Sequence, residues 1–172
     1  CERFEKHCHS HYEYIFFVQA DCDYVVEDKT YRVKTGDSIL IPPGKYHFLK
    51  PGDMKTYDRA GFSFSEDLFP YEGFLEDVVA MGNYFPSESY PESTGKAQEF
   101  LSLCRDMNEQ RSAIYADAAL TEIFLLLLSA PKIETDLPDE SLCSRAIRYI
   151  ADNLSDIQST DDIAKGLFSS RS

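Results

Sequence analysis

The chain has 172 residues, 43% of them hydrophobic, with 30 acidic and 17 basic side chains and a formal net charge of −13. That length supports one ordinary core with an appendage and excludes wholesale disorder, while the acidity opposes nucleic-acid binding by the chain as it stands, since phosphate contacts need clustered Lys and Arg. No run, Leu125 to Leu128 included, approaches the roughly 18 apolar residues of a membrane span, and five scattered cysteines without a C-x-x-C pair read as reduced cytosolic thiols.

From the N-terminus, "EKHCHSHYEYIFF" sets His7, His9, His11 and Glu13 at alternate positions. On a strand all four project from one face, and Tyr12, Tyr14 and Phe16 from the other. Facing inward they line a polar pocket; facing outward they are ordinary solvated residues. Short strands then follow to about residue 65: "YEYIFFVQ", "DYVVE", "TYRVK", "SILIP", "YHFL" and "AGFSF". Turn signals at Ala20-Asp21, Asp28-Lys29, Gly36-Asp37, Pro43-Gly44 and Pro51-Gly52-Asp53 separate them, a spacing that indicates a barrel or a sandwich. Within this region "GDSILIPPGKYH" (36–47) reads as strand, tight corner, strand. Ile39, Leu40 and Ile41 are apolar, Pro42 removes the next ladder donor, and His47 opens the second strand.

Beyond residue 93 the period becomes helical. Ala97, Phe100, Leu101, Cys104 and Met107 form one apolar stripe. The next helix, near 113–130, is apolar almost all round, through Ile114, Ala118, Leu120, Ile123, Phe124 and Leu125 to Leu128, until Pro131 stops it. Such a helix needs cover on both sides, from its own barrel and from a second subunit, which places Ile123, Leu126 and Leu127 at a dimer contact. Residues 71–139 hold 13 acidic and 4 basic side chains, read as a solvated helical surface. Residues 132–139, polar and containing Pro138, form a linker. After it, Leu142, Cys143, Ala146, Ile147, Ile150 and Leu154 mark an amphipathic helix. Ser159-x-x-Asp162 is a weak relative of the capping box ahead of Ile163, Ala164 and Leu167, and the chain stops at "FSSRS", where another helix could begin.

The 36–47 phrase resembles the second cupin motif, a glycine, five residues, P-x-G, two residues and a histidine, and "HSH" at 9–11 resembles the start of the first. The histidines, strands, G-D, I-P-P-G and H in that order resemble the sensor domain of AraC-type bacterial transcriptional regulators. "SRAIRYIADNLSDIQSTDDIAKGLFSSRS" is similar to the opening of that family's helix-turn-helix DNA-binding domain: a helix ending Y-I-x-x-N, a short connection, D-I-A and a serine.

The resemblance implies an α+β protein with four parts. Residues 1–70 are a cupin-like antiparallel β-barrel (jelly roll) that binds effector, 71–131 a helical dimerisation segment, 132–139 a linker, and 140–172 a truncated DNA-binding domain. It implies a cytoplasmic homodimer that binds a small organic effector through His9, His11, Glu13, Arg32, Tyr46 and His47. DNA is bound through the complete C-terminal domain of a longer protein and not by this fragment, whose first residue is not methionine. No catalysis, cofactor or membrane partner is implied.

Two departures bear on the alternatives. Counted from His9-x-His11, the places of the first motif's glutamate hold Ile15 and Phe16, and Pro51 stands where the second motif often has asparagine. His9, His11 and His47 remain an alternative three-histidine metal site, in which case the chain is a metal-dependent cupin enzyme of dioxygenase or isomerase type. A third alternative is a dimerisation module without ligand. No G-x-S-x-G, P-loop or Rossmann glycine pattern supports hydrolase or kinase chemistry.

Overall fold

The computed structural model describes residues 6–50, 57–69, 71–104 and 107–131, and near the C-terminus Tyr149, Ile150, Asn153, Ser159, Asp162 and Lys165. The chain divides into two units, Cys1–Lys132 and Ile133–Ser172.

In the first unit the strands are β1 (Tyr12–Gln19), β2 (Asp21–Val26), β3 (Lys29–Lys34), β4 (Ser38–Ile41), β5 (His47–Leu49), β6 (Asp58–Phe64) and β7 (Tyr84–Phe85). The helices are α1 (Phe74–Ala80), α2 (Pro91–Cys104) and α3 (Glu109–Ser129), with a 3₁₀ turn at Glu66–Leu68. The strands form a four-stranded sheet ordered β6-β1-β4-β7 and a three-stranded sheet ordered β3-β2-β5. All paired strands run antiparallel.

The two-residue period of β1 divides its side chains between two cores. Ile15 and Phe17 join Cys22, Tyr24, Val33, Ile39 and Ile41 between the sheets. Tyr14 and Phe16 face the other way, onto Leu40, Phe85, Ile123, Phe124 and Leu127 under the helices. The result is three layers, sheet on sheet on helix, and each large apolar side chain buried there contributes roughly 1.5–3 kcal/mol before entropy is counted.

Among the described residues the strands do not close into a single barrel. The sheets join at one corner through an antiparallel bridge between His7 and His47. His7 N–H donates to the His47 carbonyl at 3.2 Å and His47 N–H to the His7 carbonyl at 2.9 Å. The ladder does not run on around the ring because β4 stops before Pro42 and β5 has only three residues. At the corner, Gly44 takes φ +76°, a left-handed conformation natural for glycine, and its N–H donates to the His9 carbonyl at 2.8 Å.

The 71–131 segment is not wholly helical. Tyr84 and Phe85 pair with Ile39 and Ser38 at the sheet edge, a strand too short to leave a periodic signal. Asp37, 2% exposed, pins it there. The Asp37 carboxylate accepts hydrogen bonds from Lys34 N–H (2.8 Å), Ser87 N–H (2.8 Å) and Tyr84 Oη (2.6 Å). The Gly36-Asp37 pair is therefore a structural lock between β3, β4 and β7.

Helix α2 opens on Pro91, where a missing N–H costs nothing, and ends at Cys104, so Met107 lies beyond the helix it was expected to join. Asn108 caps α3, its Oδ1 accepting from Arg111 N–H at 3.0 Å. The expected dimer contacts Ile123 and Leu127 are buried in the chain's own core, and Leu126 is half-buried. The large apolar side chains that α3 exposes are Ile114 (67%) and Leu125 (50%), which share a face with the exposed Ala118. An apolar run without a polar side cannot announce which face turns inward, and only the packing decides. Residues 111–129 have a mean hydropathy of 1.5 and the length to cross a membrane, contrary to expectation from the four leucines alone. Here Leu120, Ile123, Phe124 and Leu127 of that stretch pack in the core.

In the second unit, Tyr149 and Ile150 are helical. Asn153 Nδ2 donates to the Tyr149 carbonyl at 2.9 Å. Ser159 N–H and Oγ donate to the Asp162 carboxylate at 2.9 and 3.0 Å, the reach-back of the capping box. The linker at 132–139, the stripe positions Leu142, Cys143, Ala146, Ile147 and Leu154, the turn at 51–53, and Ile163 to Ser172 apart from Lys165 lie outside the described residues.

Candidate functional site

The site begins with the crossing segment. Residues 7–11 do not continue β1, which starts at Tyr12. They bridge to β5 at His7 and then turn into β1, bringing imidazoles from the segment against a carboxylate of one sheet and a histidine of the other. Glu13, on β1, faces between the sheets with Ile15 and Phe17 and is 9% exposed; His47, on β5, is fully buried.

Glu13 Oε2 lies 3.2 Å from His9 Nε2 and 3.3 Å from His47 Nε2. The second distance suits an ion pair, but the ring nitrogen finds no hydrogen-bond partner there. The other carboxylate oxygen, Oε1, is 3.8 Å from Arg59 Nη1, which also donates to the Tyr24 hydroxyl at 3.2 Å. Burial alone would raise the Glu13 carboxyl; His47, the Arg59 guanidinium and His9 outweigh it and hold the group at about 2. Glu13 is therefore a carboxylate throughout the physiological range.

The ring tautomers follow from the carbonyls beside them. His9 Nδ1 lies 2.7 Å from the His11 carbonyl and His47 Nδ1 lies 3.0 Å from the Lys45 carbonyl. A carbonyl only accepts, so each Nδ1 donates to its carbonyl, and each ring turns its Nε2 toward Glu13. The His7 ring stands edge-on to His47 with centroids 4.2 Å apart. One ligand atom from each of His7, Glu13 and His47 falls within 4.8 Å of the others.

Of the residues singled out from the sequence, the structure brings together His9, Glu13 and His47. His11 stacks on His9 with ring centroids 4.0 Å apart and an interplanar angle of 7°, while its backbone oxygen holds the His9 ring. Arg32 and Tyr46 are elsewhere. Arg32 lies on the solvent face of β3, paired with Asp21 at 2.6 Å and Asp23 at 3.3 Å, because Val33 takes the inward parity. Tyr46 is 46% exposed and lies under the Lys6 ammonium, 4.8 Å from its ring centroid. Its backbone N–H donates to Glu27 Oε1.

Arg59 and Tyr24 were missed, and His7, read among the alternating residues, was left out of the effector set. The signal for His7 was present. Counted as His7-x-His9, the pair has Glu13 four residues beyond its second histidine, where the first cupin motif expects its glutamate. Arg59 had no local signal, since only the β1–β6 register, Glu13 opposite Ser63 and Phe17 opposite Arg59, brings it to the carboxylate. A separate open cleft of about 370 Å³ lies at Glu66, Asp67, Glu72 and Glu76 and contains none of these residues.

Two facing antiparallel sheets enclose a polar, charged corner within an aromatic and aliphatic interior. Residues 2–128 match the AraC-like ligand binding domain, and the chain belongs to that family. Among solved structures it is similar to the crystal structure of the AraC-like transcriptional activator CuxR, at 14% identity and a TM-score of 0.48, over 92% of this chain and 57% of that one. The chain thus spans little more than half the length of that relative. A search of curated proteins finds no match.

Proposed function

We propose that the chain is the effector-sensing and dimerisation region of a cytoplasmic AraC-type transcriptional regulator, and that it works by binding and not by turnover. Family membership across residues 2–128 supports the sensor role. The observation that carries the site is the convergence of His9, Glu13, His47 and Arg59 on one buried corner. A permanently ionised Glu13 accepts hydrogen bonds from ligand hydroxyl or amine groups, Arg59 receives a ligand oxygen, and the Tyr24 hydroxyl orients Arg59. Dimerisation runs through the outer face of α3, where Ile114, Ala118 and Leu125 lie exposed along one line. DNA is read by the complete C-terminal domain of the longer regulator, and effector binding biases how two such domains are held.

A thermal-shift screen of the chain against sugars, amino acids and small carboxylates tests this reading. At least one class should raise the melting temperature, and Glu13→Gln and Arg59→Ala should each reduce that shift. A stabilising compound whose effect survives both substitutions places the effector elsewhere and overturns the assignment of the site.

A further inference from the structure

We infer that the effector is a small carboxylic acid with a hydrogen-bond donor on the carbon next to its carboxylate, an α-hydroxy or α-amino acid, the carboxylate seated on Arg59 and the donor on Glu13. The inference rests on the effector reading above and names its chemical class. Arg59 stands opposite Phe17 in the β1–β6 ladder, and its side chain reaches Tyr24 and Glu13 between the sheets while staying 31% exposed. It is a charged group of the interior that a ligand can reach from solvent.

Arg59 is the less committed of the two charges. Glu13 Oε2 is approached by His9 and His47 at 3.2 and 3.3 Å. Among the described residues, the one hydrogen bond of the guanidinium runs from Nη1 to the Tyr24 hydroxyl at 3.2 Å. Its 3.8 Å approach to Glu13 Oε1 is too long for another. A guanidinium presents a planar fork of donors that matches a carboxylate through two parallel bonds, and most of that fork is uncommitted. The Tyr24 hydroxyl accepts from Arg59, so its own proton is left for a further acceptor, and burial keeps the phenol neutral well above its ordinary range. Cation and phenol together call for an anion rich in acceptors. Glu13 sets how much charge that anion carries. Already ionised 3.8 Å away, it repels every negative charge brought to Arg59, twice over for a dianion such as phosphate. A neutral ligand errs the other way, covering a guanidinium that has no hydrogen-bonded counter-ion. One negative charge with a donor beside it satisfies both partners, the carboxylate on the fork and the hydroxyl or ammonium on Glu13 Oε1.

The test is isothermal titration calorimetry of the 172-residue chain with lactate, phenyllactate, alanine and phenylalanine. Each acid is run beside its primary amide and beside propanoate or 3-phenylpropanoate, which lack the α substituent. At least one of the four acids should bind, and its amide and its unsubstituted counterpart should each bind about 10-fold or more weakly, the loss of a charge-assisted hydrogen bond. Arg59→Lys, which keeps the charge and loses the fork, should weaken the acid by about the same factor. Glu13→Gln should narrow the preference for the α-substituted acid. Arg32→Ala, on the solvent face of β3, should bind with unchanged affinity. Far-UV circular dichroism checks the fold of each variant. Silence from all four acids, amides that bind as tightly as the acids, or full affinity in folded Arg59→Lys overturns the proposal. A neutral compound whose binding falls in Glu13→Gln and Arg59→Ala refutes the acid and leaves the effector site standing; an acid whose binding neither substitution alters refutes the site itself.

Discussion

Glu13 and His47 meet at 3.3 Å across the gap between two sheets, one from the second position of β1 and the other from the first position of β5. Neither strand pairs with the other. Their meeting depends on the corner at Pro42 to Gly44 and on the bridge that ties His7 to His47, so the site reports on the packing of both sheets. A ligand that draws these residues together therefore acts on the sheet-to-sheet arrangement as well as on itself.

Gly61 backs the Glu13 carboxylate, and a Cβ at that position would stand 3.1 Å from Oε1. Gly61→Ala should push the carboxylate aside by a few tenths of an ångström. Effector affinity should fall while the unfolding midpoint moves little, because the group that must yield is the end of a flexible side chain. Parallel binding titration and denaturant unfolding check this, and unaltered affinity would show that Oε1 has room to spare.

Asp37 receives three hydrogen bonds in a nearly dry environment. Asp37→Ala should destabilise the first unit by about 3 kcal/mol, as buried donors lose a charged acceptor, and Asp37→Asn by less. Urea unfolding measures both. An Asp37→Ala cost below that of Asp37→Asn would contradict the lock between β3, β4 and β7.

Along α3, substitutions on opposite faces should have different consequences. Leu125→Glu and Ile114→Glu, on the exposed face, should leave the fold intact and yield monomers in sedimentation. Leu127→Ala, in the core, should cost about 2–5 kcal/mol without directly touching the dimer contact. A wild-type chain that sediments as a monomer at high micromolar concentration would refute the dimer.

Burial pushes the Tyr14 phenol up to about 12. The Ser38 and Ser93 hydroxyls are near enough to oppose the shift, although neither meets the Tyr14 hydroxyl in hydrogen-bond geometry. A raised phenol favours the neutral form in the fold, so its contribution is complete below pH 10 and is lost as the pH climbs toward 12. Tyr14→Phe should be close to neutral at pH 7, since no hydrogen bond is removed, and should lose less stability than wild type between pH 10 and 12, by on the order of 1–2 kcal/mol. Equal alkaline losses in the two proteins would place the effect in other tyrosines.

Much of the fold was legible because strand and helix periods are local. The alternation in "YEYIFFVQ" correctly sent Tyr14 and Phe16 to one core and Ile15 and Phe17 to another. The breakers at Gly36-Asp37 and Pro42 to Gly44 marked real corners. The register of the histidines was harder to read, since alternation assumed that the strand reached back to His7. In the structure the segment leaves β1 before Tyr12 to bridge β5, so His7 joins His47 while His11 only stacks on His9.

By itself, then, the sequence determined the antiparallel strands, the helical stretch behind them and the resemblance to the family, and it singled out His9, Glu13 and His47, which the fold brings together. Only the tertiary structure decided that the strands make two sheets and not a ring, that His7 and Arg59 complete the charged corner, that Arg32 and Tyr46 stay outside it, and which face of α3 is covered. Those outcomes turn on pairings between residues far apart in the chain, such as Glu13 with Arg59 and His7 with His47. A side-chain period specifies which residues share a face, but the partner of that face is chosen by packing, where the burial of apolar area and the cost of an unpaired polar group compete across the whole molecule.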